Sequence, residues 1–340
     1  MAQRPTMNDV ARAAGVSLKT VSRVVNGEPT VAAALAERVH AAVASLDYRP
    51  NLGASLLRRN DRRTRTIGLL LEDVANVFSA AVHRAVLDEA QARGIHVLAG
   101  SLDEDPARER ELVSAFAARQ TDGLILAPTA ADQGYLGAFA GMPVVFVDRR
   151  AAGMTADTVV ATNVAGAAAA VRHLAAAGHR RIAYLGDHRR LPTARERHRG
   201  YLGAMGGRAG PVVHDLHDAA DAERATLNLL RGPDQPTAIF TGQNRITVGV
   251  VRALRRLGRH RTVALAGFDD FPLADLLEPP ITVVAQDPAR MGRVAAGALF
   301  ERIDGHDGPP REIRIPTTLI PRGSGEIGRP TDRPSQGQPS

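Results

Sequence analysis

From Thr66 onward the chain repeats one pattern, a short apolar run followed by an amphipathic stretch. The runs are IGLLLE (67–72), IHVLAG (95–100), GLILAP (123–128), PVVFVD (143–148), RIAYLG (181–186), AIFTG (238–242) and VALAGFD (263–269). Each is too short for a buried helix and nearly free of polar residues. Residues 78–92 and 107–119 between them have helical periodicity. Strands apolar on both faces and joined by helices form parallel sheets covered on both sides. The runs are too many for one ordinary doubly wound sheet. Two α/β lobes are therefore expected, with a seam near Asn163 and a crossing back around 286–288.

Residues 6–47 follow a different rule. Thr6 can cap a helix over 7–14, with Val10, Ala11 and Ala14 on one face. Gly15 supplies a left-handed turn, and Ser17 caps a second helix over 18–25 whose Val21 and Val24 point inward. Leu18, Lys19, Ser22 and Arg23 then face outward. A third helix, about 32–46, closes a small core with Val39, Val43 and Leu46. Two short helices around a glycine turn match a helix-turn-helix, whose second helix offers its start to a major groove. A helical bundle with solvated charges satisfies the same pattern. Charge separates the two readings. Of the net +7, residues 1–66 hold +6, with eleven Arg and Lys against five Asp and Glu. That placement points to an N-terminal module for a polyanion. Lys19 is the only lysine, so arginine richness in itself says little.

Several classes are excluded or disfavoured. With no cysteine there are no disulfides, thiolate metal sites or cysteine nucleophiles. A phosphate-binding Gly-Lys loop is impossible when the one lysine is Lys19. The G-x-G-x-x-G from Gly323 to Gly328 sits in a Gly/Pro/Ser-rich tail, with no strand-to-helix context. His214, Asp215, His217 and Asp218 lie in one polar stretch that reads as a solvated loop. No catalytic motif appears, and neither cofactor nor metal is expected. The polar start lacks the apolar segment of a secretory signal, and no run is long enough to span a membrane. A cytoplasmic protein without membrane contact is the expectation.

The N-terminal residues also carry a resemblance. TMNDVARAAGVSLKTVSRVVNGEPTV, followed by Leu46-Asp47-Tyr48-Arg49-Pro50-Asn51, resembles the signature of the LacI/GalR family of bacterial transcriptional repressors. The resemblance implies that Leu18 and Lys19 read base edges and that Arg23 reaches a base or a phosphate. Thr6, Ser17, Thr20, Ser22 and Asn26 match positions that hold phosphates or cap helices. After Asn51, LGASLLRR is similar to the family's hinge helix, with Ala54 at the helix contact and Leu57 as a minor-groove wedge. The third helix departs from the pattern. Ala32, Leu35 and Ala36 stand where the family has hydroxyl and basic residues, which leaves more phosphate contact to Arg38, Arg58 and Arg59.

Polar residues also recur at strand ends, where ligands of α/β sheets collect. Asn76, Phe78, Asp148, Arg149, Arg197, Asn244, Asp269 and Gln286 together resemble the family's effector cleft and that of related sugar-binding proteins. Carboxylate, amide and guanidinium groups suit a polyhydroxylated ligand, and Phe78 offers an apolar face. Arg245 replaces a common Asp; it serves a phosphate or carboxylate or simply faces solvent, the latter being the expectation. The implied architecture is a small all-α helix-turn-helix domain followed by a two-lobed, periplasmic-binding-protein-like α/β domain. The expected boundaries are 1–50 for the DNA-binding domain and 51–65 for the hinge and basic linker. The effector and dimerisation domain spans 66–322, with lobe 1 over about 66–162 and 288–316 and lobe 2 over about 163–287 and 317–322. Residues 323–340 are expected to be a disordered tail. The implied function is a homodimeric repressor that binds pseudo-palindromic, double-stranded operator DNA and answers to a sugar-like small molecule. A transport component and an enzyme are the alternatives.

Overall fold

The computed structural model describes residues 5–25, 30–48, 63–208 and 210–329. The chain divides between Thr64 and Arg65 into two units. Asn26, Asn51, Ala54 and Leu57, with Arg58, Arg59 and the expected hinge helix, lie outside the described residues.

The first unit contains α1 (Met7–Ala14), α2 (Leu18–Val25) and α3 (Ala33–Ser45). A reciprocal cap starts α1. The Thr6 hydroxyl accepts from the Asp9 amide, and the Asp9 carboxylate accepts from the Thr6 amide at 2.9 Å. Gly15 ends the helix at φ +62°, a conformation that costs a side-chain-bearing residue ~1 kcal/mol or more. Arg38 of α3 reaches across and donates to the carbonyls of Ala14 and Gly15, at 2.6 and 3.4 Å. It satisfies the end of α1, so Nη2 of the residue expected to contact phosphate is already engaged inside the unit. Ser17 Oγ accepts from the Thr20 amide at 3.1 Å and starts α2. Ala32 caps α3 without a side-chain hydrogen bond, as its methyl group dictates. Val10, Ala14, Val21, Val24, Val39, Ala42 and Tyr48 form the core, with Val43 and Leu46 packed against it.

The second unit has two sheets of six strands each among the described residues. The first has the order β11-β5-β4-β3-β1-β2, from β1 (Thr66–Leu71), β2 (His96–Ser101), β3 (Gly123–Leu126), β4 (Val144–Val147), β5 (Asp157–Ala161) and β11 (Glu312–Ile315). The second has the order β12-β10-β9-β8-β6-β7. Its strands are β6 (Ile182–Leu185), β7 (Val212–Val213), β8 (Ala238–Thr241), β9 (Ala264–Phe268), β10 (Thr282–Ala285) and β12 (Thr318–Ile320). All pairs are parallel except β10 with β12. Helices α4 (Val77–Ala92), α5 (Pro106–Ala118) and α10 (Pro288–Ile303) cover the first sheet. The second is covered by α6 (Asn163–Ala176), α7 (Pro192–Met205), α8 (Ala219–Leu229) and α9 (Asn244–Arg256). Alternate residues of each strand feed opposite faces: Ile67 and Leu69 join the α4–α10 cluster, whereas Leu70 joins the α5 cluster. The α6–α7 crossing is tight, since a Cβ on Gly200 would come within 2.4 Å of the Val164 carbonyl. The chain passes between the lobes three times, at 162–163, 286–287 and 316–317.

Two expectations change. The run at 95–100 is an edge strand, β2, half exposed along its length and not buried on both faces. The tail expected to be disordered from residue 323 is packed through Arg329. Ser324 is buried, its Oγ donating to the Leu265 carbonyl at 2.6 Å and accepting from the Thr282 amide at 2.9 Å. Glu326 takes bonds from Thr282 and His173, and His179 contacts the Ile327 carbonyl. Glycine and serine here permit a turn whose polar groups meet those of the second sheet, so composition misled.

At the edge of the first sheet the fully buried Asp157 carboxylate accepts from Arg302 (3.0 Å) and from the Arg311 side chain (2.9 Å) and amide (2.7 Å). Burial acts to raise its pKa, but the bonds from Arg302 and Arg311 outweigh that and hold the carboxyl below the usual range. Asp157→Ala is expected to destabilise this unit by roughly 3 kcal/mol, toward the low end for a buried pair because Arg311 is partly solvated. Since the folded pKa lies below the ordinary 3.8, the contribution is complete above that pH and fades as pH falls below it. Urea titrations of parent and variant at neutral and acid pH check both points.

Candidate functional site

Two surfaces carry the residues singled out from sequence. On α2, Val21 and Val24 are committed to the core, so the helical repeat turns Leu18 and Lys19 outward. Both are exposed, Leu18 by 40%, while Ser22 and Arg23 flank them half-buried. Thr6, Ser17 and Thr20 act first as helix-start residues. The Thr6 hydroxyl donates to Asp9 at 2.7 Å, and the Ser17 and Thr20 hydroxyls lie 2.9 Å apart.

The second surface is the cleft between the lobes of the α/β unit. Asp148 follows β4 and Asp269 follows β9, both in the left-handed region with φ +67° and +69°. Asp is among the few side-chain-bearing residues that tolerate this conformation. Arg197 projects from α7 and is buried. Its Nε donates to Asn163 Oδ1 at 2.9 Å, and its Nη1 donates to the Gly242 carbonyl at 2.8 Å and to Asp269 at 3.2 Å. The guanidinium also stacks 4.0 Å over the Phe268 ring. Gln286 donates to the other Asp269 oxygen at 2.6 Å. Across the cleft Asn76 caps α4, and its Oδ1 also accepts from Asn244 at 3.1 Å, joining the lobes. A cavity of about 330 Å³ opens beside Phe78, Asp269, Phe271 and Gln286. The structure thus brings together Asn76, Asn244, Arg197, Asp269 and Gln286, with Phe78 on the cavity wall.

Asp148 and Arg149 belong to an adjoining charged network. Arg149 is buried and forms a fork with Glu104, at 3.0 and 2.5 Å, with Glu72 3.7 Å away. Burial pushes the Glu72 carboxyl up to about 7; Arg149 opposes this and Glu104 reinforces it. Burial likewise raises Asp148 and Asp187. Glu72, Glu104, Asp187 and Asn163 were missed from sequence. The first three lie within three residues of a strand end, the rule that found Asp148 and Asp269, so the signal was present. Arg245 corrects the sequence reading: it does not simply face solvent but pairs with the Asp73 carboxylate of the other lobe. His214 meets the His198 and Tyr184 rings edge-on, and His217 bonds to His188. Among the described residues no group of His, Asp or Glu is arranged to hold a metal ion.

Two buried acceptors in this cleft, Asn244 Oδ1 and Gln286 Oε1, have no hydrogen-bond partner among the described residues. Such atoms cost on the order of 1–3 kcal/mol each until a donor reaches them. With the carboxylates of Asp269 and Asp148 nearby, the cleft presents acceptors that a donor-bearing group can satisfy.

Comparison with known proteins covers both units. The pattern of bacterial regulatory proteins, lacI family, matches residues 6–51, and that of a periplasmic binding protein-like domain matches residues 171–325. The HTH-type transcriptional regulator PtxS of Pseudomonas plecoglossicida is 34% identical over 330 residues, covering 95% of this chain and 96% of its own. The ribose operon repressor of Escherichia coli K12 is 32% identical, covering 94% and 99%. A crystal structure of the lac repressor dimer bound to operator and the anti-inducer ONPF superposes with a TM-score of 0.83 at 26% identity, over 95% of this chain and 99% of that one. Similarity sustained through both units, from the capped first helix to the last strands of the cleft, makes the protein a member of the LacI family of bacterial transcriptional regulators, which are not enzymes.

Proposed function

We propose that the protein is a repressor that binds a pseudo-palindromic operator as a homodimer and is released or held there by a sugar or sugar derivative in the inter-lobe cleft. The observation that carries the ligand reading is the pair of unpartnered buried acceptors, Asn244 Oδ1 and Gln286 Oε1, beside Asp269. A hydroxylated ring satisfies both while Phe78 covers an apolar face. Exposed Leu18 and Lys19 on α2 support base reading. Leu273 and Leu276, 64% and 74% exposed, support a subunit interface on the α/β unit, because a second copy removes both from water. The relatives agree in kind, since one structural neighbour is a complex of the regulator CelR with cellobiose. Effector binding shifts the lobes only by its differential affinity for their two arrangements, and groups from both lobes line the site. A gel shift with DNA from neighbouring promoters, repeated with pentoses, hexoses and disaccharides, tests the whole reading.

Three outcomes are expected. Lys19→Ala loses about 1–3 kcal/mol on the operator and relaxes preference at one position of each half-site, read from a panel of operator variants. Arg197→Ala or Asp269→Ala abolishes the response to the sugar while ligand-free operator binding survives; parental response in both variants removes the cleft from the mechanism. Glu72 gives a pH signature. Its carboxyl is held near 7, above the ordinary 4.5, so the folded state favours the neutral form. That stability is complete below pH 4.5 and is lost as pH rises through 7, by roughly 3 kcal/mol in all. Glu72→Gln flattens this slope in unfolding titrations between about pH 5 and about pH 8.

A further inference from the structure

A second cavity, about 500 Å³, lies between the lobes and shares no lining residue with the first. Lobe 1 contributes Pro128–Ala131 and Arg150–Ala152, and lobe 2 contributes Arg190, Arg195, Glu196 and Arg199 from the start of α7. Its lining therefore holds four arginines against one carboxylate. That carboxylate is already engaged, because Glu196 pairs with Arg150 and accepts from Asn163 at 3.0 Å. Among the described residues Arg195 donates only to the carbonyls of Arg189 and Arg190, at 3.4 and 2.6 Å. Among the described residues Arg199 has neither hydrogen bond nor ion pair. Arg195 and Arg199 stand one turn apart on α7, a like-charge spacing that destabilises a bare helix. The helix also begins at Pro192 without a side-chain cap, so its positive dipole end faces the same space uncompensated.

We propose that this cavity binds the phosphate or carboxylate group of an anionic metabolite and that its occupancy is coupled to the effector cleft. The wiring for coupling is in place. Arg150 meets Glu196, which meets Asn163, which holds Arg197 of the cleft. Arg190 donates to the Glu104 carbonyl at 2.8 Å, and the Glu104 carboxylate holds Arg149. An anion that engages Arg150 and Arg190 competes with Glu196 and Glu104 for them, and so resets the partners of both cleft arginines. The anion is either the charged end of the effector itself or a separate small molecule. Coupling rests on the reading of the cleft as the effector site; anion binding does not.

Calorimetric titration of the full chain with pyrophosphate, in chloride buffer at about 100 mM where charges beyond ~10 Å are screened, tests the site. One binding event per chain is expected, weakened at least about tenfold, or ~1.4 kcal/mol, by Arg195→Gln with Arg199→Gln. Arg252→Gln with Arg256→Gln removes equal charge from α9 and leaves the affinity unchanged. No binding, parental binding by the first double variant, or equal loss in both overturns the proposal. Ribose and ribose 5-phosphate identify the source. If the anion is the effector's own, the ester competes with both pyrophosphate and ribose, and only the ester is weakened by the first double variant. If it is separate, pyrophosphate and ribose bind together and each tightens or loosens the other. Simultaneous binding with no mutual effect overturns the coupling. If ribose does not bind, a sugar of the gel-shift panel that does bind takes its place; absence of binding by all of them counts against the effector reading alone, because the pyrophosphate heats are read without sugar.

Discussion

The Arg197 guanidinium is buried between the lobes of the α/β unit, and a buried cation is tolerated only when charge and hydrogen bonds surround it. Three chain segments meet that demand. Asn163 comes from the first crossing between lobes, Gly242 from the end of β8, and Asp269 from the end of β9, with the Phe268 ring beneath. The strand ends of the second sheet are thereby tied to the crossing segment. Any change in how Asp269 is shared between Arg197, Gln286 and a ligand is felt at the point where the lobes turn about each other.

The lobes also meet through polar pairs at the rim of the cleft. Asn244 with Asn76, Arg245 with Asp73, Arg150 with Glu196 and Arg190 with Glu104 all cross between them. The Asn244–Asn76 bond is buried, whereas the partly exposed ion pairs Arg245–Asp73 and Arg150–Glu196 are individually worth little, ~0–1 kcal/mol. The apolar clusters on the faces of each sheet lie within single lobes, so polar contacts and not core packing join the lobes at the rim.

The first unit works under a different limit. A module of this size buries too little apolar surface for a wide stability margin. The seven core residues buried among those described are supplemented by local devices: the Thr6–Asp9 reciprocal cap, the left-handed Gly15, and Arg38 closing the carbonyl end of α1. These fix the angle between α1 and α2 and therefore the direction in which Leu18 and Lys19 project.

Local signals in the sequence determined the elements that depend on neighbours in the chain. The caps at Thr6 and Ser17, the turn at Gly15, the bounds of α1 and α2, and the central strands all follow from short-range chemistry or from uninterrupted apolar runs. Asp148, Asp269, Asn76 and Asn244 were legible because strand ends in parallel sheets converge on one edge. Tertiary structure decided the rest. The edge strands β11 and β12 mix polar and apolar residues and pair with partners far along the chain, while β5 and β10, each with the apolar run Thr-Val-Val-Ala, were legible but not picked out. Packing of 323–329 against Leu265 and Thr282 is equally non-local. Which acid meets Arg149 depends on how the ends of β1, β2 and β4 line up in one sheet, and that Arg245 finds Asp73 across the cleft depends on how two lobes face each other. Charge pairing reads distance in space, and distance in space between residues 172 positions apart is set only when the chain has folded.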